Sequence, residues 1–202
     1  MNRFDEAAKH WDTKPSSLNI AKACVDNINK IIELKKDSKI LDYGCGTGLV
    51  AFALSNETNE VVGMDNSKGM VEEFNKKVSQ LNFSNIKAMK HNINEENLPI
   101  NEFDLITISM TLHHIEDTKM FINKAYESLK NSGFLCINDL DKEDGIFHKK
   151  HNNDGVFHFG FEKENLIEQL KEKGFKIIDY KIVYNDFREE RNFPIFNLIA
   201  QK

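Results

Sequence analysis

The chain has 202 residues, of which 40% are apolar, and its formal net charge is −5 at pH 7. This length suits one domain with a sizeable core, and the acidic balance argues against binding nucleic acid through a broad basic face. No apolar run is long enough to span a membrane, and the first residues lack an apolar signal core. We therefore predict a cytoplasmic monomer or homodimer that acts on a small molecule, without nucleic acid or membrane partners.

Helix-like and strand-like patterns alternate along the chain. Apolar residues at three- and four-residue steps predict helices over 17–34, 49–55, 67–81, 117–130 and 162–173. Short apolar runs predict strands over 39–43, 60–64, 86–90, 103–109, 134–139, 175–183 and 193–200. No helix separates the last two strands, so they are expected to form a hairpin. The pattern predicts an α/β fold with a Rossmann-like, seven-stranded, mostly parallel sheet, an antiparallel last strand and helices on both faces.

Glycines alternate directly after the first predicted strand, at Gly44, Gly46 and Gly48. They let the backbone turn tightly and approach a ligand closely, which favours a nucleotide-like cofactor. A dinucleotide fingerprint requires another glycine three residues after the second, and this chain has Leu49 there. The acidic Asp42, two residues before the first glycine, suits a cationic amine better than a pyrophosphate.

Together, Asp42 and the three glycines resemble motif I of the class I S-adenosylmethionine-dependent methyltransferases. The order of strands and helices resembles this family over nearly the whole chain, in particular the methyltransferase type 11 and ubiquinone and menaquinone methyltransferase group. The residues Phe4, Ala8, Trp11 and Asp12 are similar to the family's opening pattern, which folds over the cofactor as a lid. Alternatively, Trp11 only anchors the first helix. The resemblance implies one domain over 1–202, with a helical cap over 1–35 and a substrate-covering loop over 140–161.

A carboxylate follows the second predicted strand at Asp65, where open parallel sheets bind their ligands. It can accept hydrogen bonds from both ribose hydroxyls of an adenosyl cofactor, or it can cap the helix that begins near Ser67. The resemblance implies further cofactor contacts at Trp11, Cys45, Asn66, Met70, Asn92, Ile93 and Ser109. Asn92 stands where the family usually has an acidic residue that accepts the adenine amino hydrogen.

Two adjacent histidines, His113 and His114, follow the fourth strand on the predicted cofactor side. They are the candidate catalytic bases, because histidine titrates near neutral pH and can accept the proton of a methyl acceptor. Either of them could instead only pack or donate a hydrogen bond. The residues predicted to contact the substrate are His114, Phe147, His148 and His158. No metal site is predicted, because the spacing of His148, His151 and His158 matches no compact ligand motif.

These patterns predict methyl transfer from S-adenosyl-L-methionine to a small-molecule acceptor by in-line displacement. One alternative is an NAD(P)-dependent oxidoreductase, which Leu49 disfavours. Another is a catalytically silent protein that binds S-adenosylmethionine, which Asn92 leaves open. The cysteines at Cys24, Cys45 and Cys136 have no paired spacing and are expected to be reduced.

Overall fold

The computed structural model describes residues 3–55, 60–151, 153–188 and 190–202, and the side chain of His151 lies outside this description. The helices are α1 Arg3–Ala7, α2 Pro15–Ile31, α3 Leu49–Leu54, α4 Lys68–Gln80, α5 Thr118–Ser128 and α6 Lys163–Lys173. The strands are β1 Lys39–Tyr43, β2 Glu60–Asp65, β3 Ile86–Lys90, β4 Phe103–Ser109, β5 Leu129–Leu140, β6 Lys176–Arg188 and β7 Arg191–Gln201. Short 3₁₀ helices cover Ala8–Thr13, Leu112–His114 and Lys149–His151.

All seven strands form one sheet in the order β3-β2-β1-β4-β5-β7-β6. Neighbouring strands from β3 to β5 are parallel, whereas β7 runs antiparallel to both β5 and β6. The chain order reverses direction beside β1, so β1 and β4 border the crevice where such sheets bind ligands. The predicted fold class and the antiparallel last strand are confirmed.

The two faces of the sheet are buried in separate apolar clusters. Successive residues of a strand point to opposite faces, so Leu41 and Ile106 join one cluster while Ile40 and Leu105 join the other. Helices cover both clusters, which explains why β1 and β4 consist of nearly continuous apolar residues. No helix among the described residues combines the length and apolar character that a membrane crossing requires.

The largest differences from the predicted boundaries lie at the junction of α5 with β5 and in the final hairpin. Helix α5 ends at Ser128 rather than at 130, and β5 begins at Leu129 rather than at 134. A register shift against β4 accommodates the polar residues at 131–133, where Phe103 pairs with Leu129 and Leu105 pairs with Phe134. The final hairpin is also longer than predicted, because hydrogen bonds to the partner strand hold polar residues that hydropathy assigns to a loop.

Candidate functional site

A cavity of about 510 Å³ opens at the carboxyl ends of β1, β2 and β4. One end is lined by residues that the sequence predicts to contact the cofactor, namely Trp11, Asp42, Gly44, Cys45, Gly46, Asp65, Asn66, Met70, Asn92, Ile93 and Ser109. Its other end is lined by His113, His114, Phe147 and His148. The fold therefore brings together most of the residues singled out in the sequence, whereas Gly48 and His158 lie outside the lining.

The glycine turn places bare backbone against the cavity. The amides of Gly44 and Cys45 both donate to the carbonyl oxygen of Met64, at 2.7 and 3.1 Å, and so tie the turn to β2. Gly46 has a φ of +51°, and a Cβ built there would lie 3.9 Å from Met70 Sδ and 4.0 Å from Trp11 Nε1. A larger side chain would thus project into the space that a cofactor needs.

Gly48 serves packing rather than binding. Its φ is +94°, and a Cβ there would lie 2.7 Å from the buried ring of Phe74 and 2.8 Å from Phe52. The motif predicts a cofactor contact at this position, but the glycine is required because α4 packs closely on the start of α3.

Gly48→Ala is expected to lower the free energy of unfolding by about 2 kcal/mol or more, through backbone strain and the Phe74 clash. Urea unfolding measures this loss, and calorimetry should find the affinity for S-adenosylhomocysteine retained in the folded fraction. Gly155→Ala is the matched control, since Gly155 has a φ of +69° and no atom within 4 Å of the added Cβ. An equal loss in both variants would contradict the packing role.

Asp65 ends β2 and organises the turn. Its Oδ2 accepts the amide hydrogen of Gly46 at 2.8 Å, and its Oδ1 accepts that of Ser67 at 2.8 Å. Burial raises the pKa of this carboxyl, although the two amides oppose the shift. Ser67 caps α4 through its own hydroxyl, which accepts the amide hydrogen of Met70 at 3.2 Å. The capping role therefore falls to Ser67, and the carboxylate of Asp65 keeps acceptor capacity for a ligand.

Asp42 is a buried acid on the cavity wall. Its side chain is 2% exposed, and Oδ2 accepts the amide hydrogen of Ala51 at 3.1 Å. Burial raises its pKa from 3.8 to about 8. Such a carboxyl gains stabilisation when a cation arrives beside it. Burial also raises the pKa of the Cys45 thiol, which favours a packing role for that cysteine over a reactive one.

The shifted pKa of Asp42 predicts a pH-dependent stability of the ligand-free protein. Between pH 3.8 and about pH 8 the folded state keeps a proton that the unfolded state has released, so stability falls as pH rises. The lowered pKa values of His114 and His148 act in the opposite direction, and this contribution fades as pH rises past their ordinary value of 6.5. Asp42 alone contributes a loss of at most about 1.4 kcal/mol per pH unit, which the two histidines partly offset near pH 6.5.

Urea unfolding at pH 6.5, 7.0 and 7.5 measures this slope in the wild type and in Asp42→Asn. The slope of stability against pH should be more positive in the variant than in the wild type, because an amide does not titrate and only the histidine contribution remains. Equal slopes would mean that Asp42 ionises normally in the folded protein.

Asn92 and Ile93, for which the resemblance implies contacts with the cofactor, both lie on the cavity wall. Asn92 lines the cavity, and its Oδ1 accepts the amide hydrogen of Asn94 at 3.1 Å. The buried Ile93 donates its amide to the hydroxyl of Tyr43 at 2.9 Å, which fixes the backbone of this segment. An uncharged acceptor therefore stands where the family usually has an acid.

The N-terminal residues are fastened over the glycine turn. Asp12 accepts a hydrogen bond from the hydroxyl of Thr47 and pairs with Lys77 of α4 at 2.6 Å. Asp5 accepts from the hydroxyl of Ser67 at 2.7 Å and from the amide of Gly69 at 2.9 Å. These contacts place Phe4 and Trp11 on the cavity wall, as the resemblance implies for a lid.

Three imidazoles meet at the opposite end of the cavity. His113 is 1% exposed, and its Nδ1 lies 2.6 Å from Asp139 Oδ1. Its Nε2 lies 3.0 Å from Nε2 of His148, and Nδ1 of His114 lies 2.6 Å from the carbonyl oxygen of Gly155. Burial lowers the pKa of His114 to about 3 and that of His148 to about 2. Both rings are therefore neutral at physiological pH.

His158 points away from this end. Its Nε2 lies 2.9 Å from the carbonyl oxygen of Ile115 and 3.2 Å from that of Glu116. A ring nitrogen that faces carbonyl oxygens carries a proton and donates it, so His158 fastens the loop to the turn after β4. We therefore do not include His158 among the residues proposed to contact the substrate.

Several residues of the site escape sequence reasoning. Asp139 is completely buried at the end of β5 and is the partner of His113. The same rule that selects Asp65, a carboxylate at the carboxyl end of a parallel strand, would have found it. Met110 lines the cavity with a φ of +52°, a strained conformation that no sequence pattern reveals. Arg3 and Arg188 reach the cavity from the two ends of the chain.

Comparisons with known proteins agree with this geometry. A family model described as "Methyltransferase domain" matches residues 34–190. An uncharacterized methyltransferase of Schizosaccharomyces pombe is 31% identical over 158 residues, which are 72% of this chain and 55% of the relative. A demethylmenaquinone methyltransferase of a Geobacillus species is 28% identical over 140 residues, or 66% of this chain and 60% of the relative. The chain thus spans little more than half the length of these relatives.

Solved structures share the fold. A SAM-dependent methyltransferase from Aquifex aeolicus superposes with a TM-score of 0.74 at 23% identity and covers 98% of this chain and 97% of that one. The YcgJ protein of Bacillus subtilis gives a TM-score of 0.73 at 17% identity, with 89% of this chain and 97% of that one covered. The matched family model covers well over half of the sequence, and this chain belongs to the methyltransferase domain family.

Proposed function

We propose that this protein transfers a methyl group from S-adenosyl-L-methionine to a small-molecule acceptor. The observation that carries the proposal is the cavity, which joins a cofactor end with Asp42 and Asp65 to an acceptor end with three histidines. Asp65 suits the ribose hydroxyls, and Asp42 suits the ammonium group of the methionine part. The glycine turn leaves room for the nucleoside between these two acids.

In-line displacement needs alignment, exclusion of water and removal of the acceptor's proton. The acceptor nucleophile forms a bond to the methyl carbon while the bond from that carbon to the sulfonium sulfur breaks. The products are the methylated acceptor and S-adenosylhomocysteine, and an acceptor hydroxyl or thiol loses its proton. We assign activation of the nucleophile to the acceptor end, where the predicted catalytic residues His113 and His114 lie beside His148.

The acceptor end also favours an anionic substrate. The cavity lining includes four basic residues, namely Arg3, Lys14, Lys150 and Arg188. Nη1 of Arg3 is buried without a hydrogen-bond partner among the described residues. Burial, reinforced by the charges of Arg188 and Arg3, lowers the pKa of Lys14. A carboxylate or phosphate on the acceptor would relieve this repulsion and satisfy the guanidinium.

Calorimetry with S-adenosylhomocysteine and with NAD tests the cofactor, and only the former is expected to bind saturably. Saturable binding of NAD alone would overturn the proposal in favour of an oxidoreductase. A turnover screen then offers each acceptor as its acid and as the matched neutral amide, with the acid expected to react faster. Cofactor binding without turnover of any metabolite class would favour the catalytically silent alternative.

The predicted cytoplasmic location belongs to the same proposal. Cys24, Cys45 and Cys136 are all buried and free, which suits a reducing compartment. An acidic net charge of −5 supports a small-molecule acceptor rather than a nucleic acid.

A further inference from the structure

The acceptor end gathers three imidazole rings, and each offers one nitrogen that could bind a metal ion. His113 and His114 follow β4, whereas His148 belongs to the segment after β5, so only the fold brings them together. One ring nitrogen of each lies within 4.8 Å of the other two, and the Nε2 atoms of His113 and His148 are 3.0 Å apart. Ligands bonded to one zinc ion at about 2.0–2.1 Å are themselves separated by roughly 3 Å.

Hydrogen bonds behind the rings orient them for this purpose. Nδ1 of His113 faces a carboxylate oxygen of Asp139, and Nδ1 of His114 faces the carbonyl oxygen of Gly155, both at 2.6 Å. Because these oxygens only accept, the Nδ1 atoms of His113 and His114 carry protons and their Nε2 atoms carry lone pairs, of which that of His113 faces Nε2 of His148 at 3.0 Å. A carboxylate or carbonyl that holds the far nitrogen is the usual arrangement of metal-binding histidines.

One buried carboxylate lies directly behind the cluster. Asp139 is completely buried behind His113 and supplies a negative charge close to the cluster. Neutral imidazoles favour zinc, iron, cobalt, nickel or copper over magnesium or calcium.

We propose that His113, His114 and His148 bind a divalent transition-metal ion of the zinc class, which activates the methyl acceptor. Three protein ligands leave a coordination position open for the acceptor's oxygen or sulfur atom. Coordination lowers the pKa of that hydroxyl or thiol, whose proton leaves to solvent, and the resulting anion attacks the methyl carbon. This step rests on the proposed methyl transfer, and it replaces the sequence-based expectation that the chain holds no metal.

Titration with cobalt tests directly whether the three histidines bind a metal ion. The full chain, first freed of metal by a chelator and dialysed, is titrated with Co²⁺ while visible ligand-field absorption is recorded, and Zn²⁺ is then added in competition. We expect saturation at one ion per chain and loss of the cobalt spectrum on addition of zinc. Elemental analysis of the dialysed zinc complex should give the same stoichiometry.

Two substitutions separate this site from adventitious binding. His148→Ala should abolish the cobalt absorption, and His148→Gln serves in its place if the alanine variant does not fold. His158→Ala is the matched control, because its ring belongs to the same segment but contacts the carbonyl oxygens of Ile115 and Glu116. The control should bind cobalt as the wild type does.

Calorimetry with S-adenosylhomocysteine, run on the metal-free chain, separates the two proposals. Intact cofactor binding without any cobalt spectrum would overturn the metal site and leave His113 with Asp139 as a direct base. An identical spectrum in the wild type and His148→Ala would equally overturn it, because the ion would then be bound elsewhere. A cobalt site that depends on His148, in a chain without affinity for the cofactor, would support the metal and refute the methyl transfer.

Discussion

Asp65→Ala is expected to weaken binding of S-adenosylhomocysteine at least about 100-fold. Two hydrogen bonds from ribose hydroxyls to one carboxylate contribute about 1.5–3 kcal/mol each, and about 1.4 kcal/mol corresponds to a factor of ten. The carboxylate also fixes the amides of Gly46 and Ser67, so its removal loosens the turn that surrounds the nucleoside. Isothermal calorimetry at constant pH and salt measures the change in Kd.

The control for this variant is Glu60→Gln. Glu60 begins the same strand at its opposite end and pairs with Lys39 at 3.0 Å and Lys87 at 3.2 Å. This substitution removes one negative charge from β2 far from the cavity, and the affinity should stay at the wild-type value. Unaltered affinity in Asp65→Ala, with a thermal midpoint that shows a folded protein, would refute the ribose assignment.

Asp139→Asn is expected to lower kcat about 10–100-fold while the Kd for S-adenosylhomocysteine stays unchanged. Partners behind a functional histidine have effects of this size, because they fix its orientation and its tautomer. The carboxylate of Asp139 contacts both Nδ1 and the backbone amide of His113, at 2.6 and 3.3 Å, and an amide in its place reproduces only part of this pattern. Formation of S-adenosylhomocysteine with an acceptor from the turnover screen measures kcat.

Asp141→Asn supplies the matched comparison. Asp141 lies two residues further along, and its Oδ1 accepts only the exposed amide hydrogen of Lys142 at 3.0 Å among the described contacts. Its turnover should equal that of the wild type. If Asp139→Asn were also as fast as the wild type, His113 would need no carboxylate partner, and both the base and the metal explanations would lose their support.

The parts of the fold that follow from the sequence are those in which burial dictates the pattern. Strands β1 and β4 have the predicted bounds, because a strand covered on both faces is a compact run of apolar residues between turn signals. The strand β5 begins earlier than predicted because Leu129 pairs with Phe103 before the polar residues at 131–133, and pairing across a register shift leaves no local signal. The predicted hairpin strands are too short for the same reason, because their polar ends are held by pairing that has no local sequence signal.

Some features of the site likewise follow from the sequence, whereas others depend on the fold. The position of Asp65 and of the histidine pair after parallel strands follows from where such sheets bind ligands. The contacts that each residue makes do not follow from its position along the chain. The sequence therefore places Gly48 and His158 at the cavity, although Gly48 packs against Phe74 and His158 hydrogen-bonds to the carbonyl oxygen of Ile115. The meeting of His148 with His113 depends on how the segment after β5 folds back, which spacing along the chain does not encode.

The buried acid at Asp42 ties the lifetime of the protein to its supply of cofactor. With a pKa of about 8, Asp42 of the ligand-free folded chain keeps a proton that the unfolded chain has released, and this difference lowers stability near neutral pH. A ligand cation beside the carboxylate removes that penalty, and binding adds its own free energy to the folded state. Cells poor in the methyl donor should therefore degrade the empty protein faster than well-supplied cells degrade the occupied one.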